Sequence, residues 1–377
     1  MKITVLMDSF KGSLSSEEAG EAVRSGIVAS GISAEISVFP FADGGEGTLD
    51  AFLAADRDAK KVSVRASDPL GRPIDACYGV LSDGTAVIEM AKTSGLCLLS
   101  ESERNPLITT TRGVGQLIRH AISNGHKNII IALGGSATND CGAGMLRELG
   151  LAILDKDGKP VCDGALGLAE AKSIDAGSLL PGISDCSVII AGDVENPLYG
   201  DNGASRIFAP QKGASAADIE KMDAWMKDFS KVVKTCCPAA NPDAKGAGAA
   251  GGLGFALQTF LGGKMIPGAN VLLSRTGLEG EIASSDLVIT GEGAIDGQTA
   301  MGKAPARIAS LAGKYNVPVI AVAGCIRPGA EKCHDTGIKA IFPILSAPMS
   351  IKEAMAGDTA KANISRTVCE IMRLFGK

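Results

Sequence analysis

Short, wholly apolar runs, each closed by a glycine-rich or acidic turn, recur at both ends of this chain. Ile3 to Met7 is one. The turn "DSFKGS" follows it, then a helical pattern in which Ala19, Ala22, Val23 and Ile27 share one stripe. Ser15 and Glu18 have the spacing of a capping box at the start of that helix. "AEISVFPF" repeats the theme and leads into "ADGGEGTLDAFLAA". Toward the other end, "SSDLVITGEG", "VPVIAVAG" and "KAIFPIL" are runs of the same kind, with a helix predicted from about Pro305 to Tyr315. Strands that are apolar on both faces must be covered on both faces, so these runs predict a parallel sheet flanked by helices.

The middle of the chain has a different texture. From Lys60, "KKVSVRASDPLGRPIDACYGVLSDGTAVIEMA" alternates in short runs broken by "DPLG" and "SDG", the pattern of antiparallel hairpins. The strand–helix rhythm resumes at "NIIIALGG" and "SVIIAGD". The expected fold class is α/β in two domains. One is a Rossmann-like parallel-sheet domain made from both chain ends, residues 1–62 plus 285–377. The other is an inserted mixed α/β domain, residues 63–284. A chain of 377 residues is long enough for two cores.

Composition removes several classes of function. The net charge of −5 and an aromatic content of 4% argue against nucleic acid as a partner, which wants a basic face and stacking rings. No apolar run approaches the length of a bilayer span, and the opening "MKITVLMDSF" is too short an apolar stretch for a signal peptide. A cytoplasmic protein without a membrane partner is expected. The ten cysteines contain no C-x-x-C pair and the three histidines lack zinc spacing, which predicts reduced thiols rather than a metal framework.

Acids stand just past several predicted strands: Asp8, Asp43, Asp193 and the pair Glu292 and Asp296. Ligands of open α/β sheets bind outside the carboxyl ends of the strands, where such acids can hold magnesium or take a proton from a hydroxyl. Each can equally be a turn or helix-capping residue. The loop holding Asp8, Ser9, Lys11 and Ser13 precedes a helix, where a lysine can meet an anion. "LGGSATNDCGAGM" also joins a strand to a helix; Gly134 and Gly135 would let backbone approach a ligand, and Ser136, Thr138, Asn139 and Asp140 offer polar groups or a cap.

Two glycine patterns are near matches. "GAGAAG" (Gly246 to Gly251) has the spacing of a dinucleotide fingerprint, but no strand precedes it and no acid follows about 20 residues on, so a nicotinamide dehydrogenase is disfavoured. It reads as close packing at the start of a helix over Leu253 to Leu261, or as a loop near substrate. Gly297 to Lys303 spell G-x-x-x-x-G-K, yet Ala304 stands where a P-loop needs Ser or Thr for magnesium. In a chain with 48 glycines the spacing alone carries little, although its glycines and Lys303 could still face phosphate.

Taken together, "DSFKGSLS", "ADGGEGT", "GGSATND", "DVENPLYG", "PQKGA", "GAGAAGGLG" and "GEGAIDGQTAMGK" resemble the type-1 bacterial glycerate kinases over essentially the whole chain. The resemblance implies a two-domain α/β structure without a true P-loop, and ATP-dependent phosphorylation of glycerate to 2-phosphoglycerate. Three positions depart from the family pattern: Ala294 for a usual basic residue, Cys141 for a glycine and Gly192 for a cysteine.

Phosphoryl transfer needs in-line placement and charge neutralisation. We therefore expect Lys11, with Asp8 and Ser9, to receive glycerate; Asn139, Asp140, Arg112 and Lys212 are further substrate-binding candidates. Asp193 is expected as the proton acceptor ahead of Asp43. Gly134, Gly135, Ser136, Gly297, Gln298 and Lys303 are expected at ATP, and Asp296 with Glu292 at Mg²⁺. The residue pattern leaves open the hydroxyl that is phosphorylated, a related hydroxy-acid kinase, a non-catalytic anion sensor and the oligomeric state.

Overall fold

The computed structural model describes residues 1–376. Its strands are β1 Lys2–Met7, β2 Glu35–Pro40, β3 Lys60–Ser67, β4 Pro73–Val80, β5 Ala86–Glu89, β6 Asn128–Ala132, β7 Ala152–Leu154, β8 Ser173–Asp175, β9 Ser187–Ala191, β10 Lys264–Ile266, β11 Leu287–Ile295, β12 Val319–Ile326 and β13 Ile338–Pro343. The fold is α/β, and the chain divides into two compact units.

The first unit comprises Met1–Asp43, Asp50–Arg57 and Ala269–Lys377. Its sheet runs β13-β12-β11-β1-β2 with every pairing parallel. Alternate residues of each strand face opposite sides. Ile3, Val5, Met7, Leu287, Ile289, Ile320 and Val322 all point into one core, against the helices Ser16–Ala29 and Gly357–Arg373. The intervening residues, such as Leu6 and Val288, are buried as well, on the face where the helix Ala304–Gly313 contacts β11 and β12. Each such aliphatic side chain contributes about 1.5–3 kcal/mol when fully buried. The first helix begins as its sequence requires: Ser15 Oγ accepts from Glu18 N–H and the Glu18 carboxylate accepts from Ser15 N–H.

From β1 the chain moves outward to β2, whereas β11, β12 and β13 extend the sheet in the other direction. The order therefore reverses between β1 and β11. Such a reversal opens a crevice at the carboxyl edge, because the connections on its two sides leave over opposite faces.

The second unit comprises Gly44–Leu49 and Asp58–Gly268. Its main sheet runs β10-β9-β6-β5-β4-β3, with β5, β6, β9 and β10 parallel and β3, β4 and β5 antiparallel to their neighbours. The hairpin turns follow from their sequences. Asp68 Oδ1 accepts from the amides of Leu70 and Arg72, and Asp83 Oδ1 accepts from Thr85 N–H. β7 and β8 form a separate small hairpin sheet.

Unit membership departs from the segmentation read off sequence texture in three places, one being residues 58–62, which group with the second unit because Lys60, Lys61 and Val62 pair with Val80, Gly79 and Tyr78 of β4. Residues 269–284 group with the first unit instead of the insert, because Lys2 Nζ reaches Glu281 at 3.0 Å and Ser284 Oγ at 2.7 Å, and Arg307 donates to Asn270. Gly44–Leu49 group with the second unit, for reasons that belong to its loop structure.

Candidate active site

In the first unit, Met7 at the end of β1 pairs with Gly291 of β11 on one side and Pro40 of β2 on the other. The next residues in sequence therefore emerge together at the carboxyl edge: Asp8, Glu292 and, three residues past Pro40, Asp43. Asp8 and Glu292 flank the reversal between β1 and β11.

Asp8 is 8% exposed and its Oδ1 accepts from Ser9 N–H at 2.6 Å. Burial pushes its carboxyl up to about 7; Asp43 and Glu292 push the same way, and Ser9 N–H and Lys11 oppose them. Burial also raises Glu292, whose Oε1 accepts from Thr299 Oγ1 at 2.7 Å and which Lys303 helps to keep charged. Lys11 stands exposed at the tip of a tight turn closed by hydrogen bonds between Phe10 and Leu14. The turn needs Gly12, which has φ +77°.

The glycine-rich stretch after β11 is not a phosphate cradle of the P-loop kind. Asp296 caps the short helix Gly297–Ala300, its Oδ1 accepting from Gln298 N–H at 2.8 Å and Thr299 N–H at 3.2 Å. Gly302 takes φ +111°, and Lys303 is the N-cap of the helix Ala304–Gly313, with Pro305 in its first turn. Gly297, exposed Gln298 and Lys303 thus lie beside Glu292 in one loop. Ala294 lies within β11, paired with Cys325.

Asp296 was expected at a metal with Glu292. Its Oδ1 is committed to the helix cap, and among the described residues no group of three or more His, Cys, Asp or Glu side chains is arranged to hold a metal. The charges of Asp43 and Glu292, which add to the effect of burial in raising Asp8, nonetheless suit a divalent cation, whose charge would relieve that repulsion. A nucleotide-bound magnesium typically takes only one or two protein carboxylates, so the pair Asp8 and Glu292 fits it.

In the second unit, the loops after β5, β6 and β9 share one carboxyl edge. Gly134 and Gly135 do allow a close backbone approach, but the approaching chain is the protein's own. Gly134 N–H donates to Gly44 O at 2.9 Å, and a Cβ on Gly134 would lie 2.3 Å from Gly45 Cα. Gly44, with φ +101°, would in turn bring a Cβ within 2.7 Å of Ala191 O. Glu89, at the end of β5, fixes the same loop by accepting from Gly47 N–H and Leu49 N–H. These contacts explain why Gly44–Leu49 belong to this unit. Glu89 was missed in the sequence; the signal was a lone carboxylate in the apolar run "AVIEMA".

Ser136, Asn139, Asp140 and Lys212 come together around the "GGSATND" loop, yet they face inward. Lys212 is 1% exposed and donates to Ser136 Oγ at 2.9 Å and to Thr138 O at 2.6 Å. Burial brings its ammonium down to about 7, with Asp140 opposing. Asp140 is fully buried and accepts from the amides of Thr111, Gly142 and Gly144 and from Thr111 Oγ1. Asn139 donates to Ser205 Oγ. Expected at substrate, these three instead shape the loop from beneath. Arg112 is similarly engaged, paired with Glu148 at 3.3 Å and Asp163 at 3.4 Å. Asp193 is exposed just past β9.

The "GAGAAG" glycines serve packing. Gly251 would press a Cβ to 2.0 Å from Thr138 O, and Gly248 would press one to 2.2 Å from Pro197 O. Cys141, where the resembled family has glycine, adopts φ +49°, the left-handed region that explains the usual residue.

Among the described residues no helix is long and apolar enough to cross a membrane. A model of the glycerate kinase family matches residues 3–376. The chain is 43% identical to the glycerate 2-kinase of Escherichia coli K12, covering all of both sequences. It is 41% identical to the glycerate kinase of Bacillus subtilis 168, covering 98% of this chain and 97% of that one. Its fold superposes on the crystal structure of a glycerate kinase 2 from Salmonella typhimurium LT2, described there as putative, with a TM-score of 0.84 and 39% identity over 100% of this chain and 98% of that one. The chain belongs to the glycerate kinase family and is a phosphotransferase with an alcohol acceptor.

Proposed function

We propose that this protein transfers the γ-phosphoryl group of ATP to the 2-hydroxyl of glycerate, giving 2-phosphoglycerate. The observation that carries the reading is the convergence of Asp8, Asp43 and Glu292 at the strand reversal of the first unit, with Lys11 and the Gly297–Lys303 loop beside them. The name of the Escherichia coli relative favours the 2-position.

Lys11, with the hydroxyl of Ser9, receives the carboxylate of glycerate. Lys303 and the glycines around it meet the phosphates, for which the N-terminus of the Ala304–Gly313 helix is electrostatically suited. Asp8 and Glu292 would hold Mg²⁺, which when bound neutralises charge on the transferring phosphoryl group. Half-exposed Asp43 accepts the hydroxyl proton, and Asp193 is the alternative. With ten free thiols and a nucleotide substrate, the protein works in the cytoplasm.

An ADP-release assay with glycerate, tartronate, tartrate and glycerol tests the substrate, and phosphorus NMR of the product tests the position. Release with glycerate and a resonance for the 2-phosphate are expected. A 3-phosphate product, or preference for another acceptor, would overturn the assignment. Glycerate binding without ADP release would indicate a sensor instead.

A further inference from the structure

A cleft of about 650 Å³ lies on the first unit between the helix Gly268–Arg275, the helix Ala304–Gly313 and the turn at Asp335 and Thr336. That volume falls in the range of sites that enclose cofactor-sized ligands, about 300–1,000 Å³. Its floor is apolar, made by Leu273, Ala306 and Leu311. Its rim carries Asn270, Ser274 and Ser310. Arg307 and Lys314 add positive charge, against Glu279 and Asp335. Glu279 accepts a hydrogen bond from the Tyr315 hydroxyl at 2.7 Å, which turns part of its capacity away from a ligand.

Three features give the cleft a direction. One end opens on Met301 and Gly302, immediately before Lys303 in the glycine loop. A Cβ at Gly302 would meet the Arg307 guanidinium at 3.0 Å, so the missing side chain lets that cation lie against the loop. Met301, at the mouth, is 83% exposed, more than any other large apolar side chain among the described residues. Finally, the cleft follows the Ala304–Gly313 helix from Ala306 toward Lys314, about 12 Å at 1.5 Å per residue. Its Gly302 end is the end at which that helix presents its positive dipole.

We infer that this cleft holds the purine nucleoside of the phosphoryl donor, with the phosphates running toward Gly302, Lys303 and the start of the Ala304–Gly313 helix. The base lies against Leu273, Leu311 and Met301. Asn270 Oδ1 accepts from Arg307 Nη1 at 3.2 Å, which leaves its amide N–H groups to donate to acceptors on the ring. Asp335 supplies a carboxylate for the ribose hydroxyls. The inference rests on the kinase reading above and adds the seat of the nucleoside.

The test uses the full chain with ADP as probe, followed by calorimetric titration, and steady-state kinetics with ATP and glycerate. Ser310 is exposed at the rim, so Ser310→Trp fills the cleft without disturbing the core. It should weaken ADP binding and raise the KM for ATP about tenfold or more, while the KM for glycerate stays within about twofold. A folded Ser310→Trp protein that binds ADP as tightly as the wild type would overturn the inference. Should that variant misfold, Lys314→Glu is the second arm: about threefold weaker ADP binding supports the proposal and unchanged binding overturns it. The two readings fail separately. If the wild type phosphorylates glycerate and both variants bind ADP normally, the cleft assignment falls and the kinase stands. If Ser310→Trp abolishes ADP binding in a protein that phosphorylates no glycerate, the cleft stands and the kinase reading falls.

Discussion

Replacing Lys212 with Met tests whether a buried ammonium governs the second unit. Lys212 is enclosed under the "GGSATND" loop, and burial lowers its ammonium from the ordinary 10.5 to about 7. Between those values the unfolded chain holds a proton that the folded one has released. Stability therefore rises with pH across this window, by about 1.4 kcal/mol per unit in the middle of it. The penalty of carrying the charge is complete below pH 7 and has vanished above the unfolded value. From about pH 7 to about pH 9 the wild type should gain about 2 kcal/mol from this group. For a unit of this size that is about 5 °C in Tm. Lys212→Met fills a similar volume without titrating. It also strips Ser136 Oγ and Thr138 O of a donor, at about 1–3 kcal/mol, but that loss does not depend on pH. The difference in slope thus isolates the ammonium. Calorimetric melts of both proteins at constant ionic strength between those pH values should converge or cross as pH rises, the wild type gaining on the variant. Parallel melting curves would refute the reasoning.

Other expectations are more compact. Asp8→Asn in metal-free buffer should raise Tm relative to the wild type above pH 7 and leave it unchanged near pH 4: a carboxyl raised to about 7 contributes its stability at low pH and loses it as pH climbs through the folded value. Lys11→Ala should raise the KM for glycerate about tenfold with the fold intact, since the side chain is exposed; a change confined to ATP would show the two substrates to be exchanged. Of Asp43→Asn and Asp193→Asn, the one that removes the proton acceptor should lower kcat about 10²–10⁴-fold, and near-normal turnover eliminates its residue from that role. Gly134→Ala, whose Cβ would sit 2.3 Å from Gly45 Cα, should cost about 1–3 kcal/mol in a melt of the full chain, and an unchanged Tm would mean the loop yields freely.

Much of the fold is readable locally. The apolar runs Ile3–Met7 and Leu287–Thr290 specify strands buried on both faces because β periodicity and hydrophobicity are properties of five or six consecutive residues. The capping box at Ser15 and Glu18 is legible for the same reason. So is Pro305 in the first turn of its helix, and with it the failure of the G-x-x-x-x-G-K match. Asp296 illustrates the limit: its position before a short helix allowed a metal ligand or a cap, and only the amide directions show that its Oδ1 is turned to the cap.

From its residues alone, this chain determines which segments are strands, which are helices and which acids follow a strand, because those depend on neighbours within a few positions. Tertiary structure decides which of those acids meet. Asp8, Asp43 and Glu292 converge because β1 pairs with β2 and, across about three quarters of the chain, with β11, which no local pattern encodes. It also decides that the glycines of one loop receive another loop instead of a ligand, and that Lys212 faces inward. Burial and close approach are set by distant segments packing together, and a sequence motif carries no direction for its side chains.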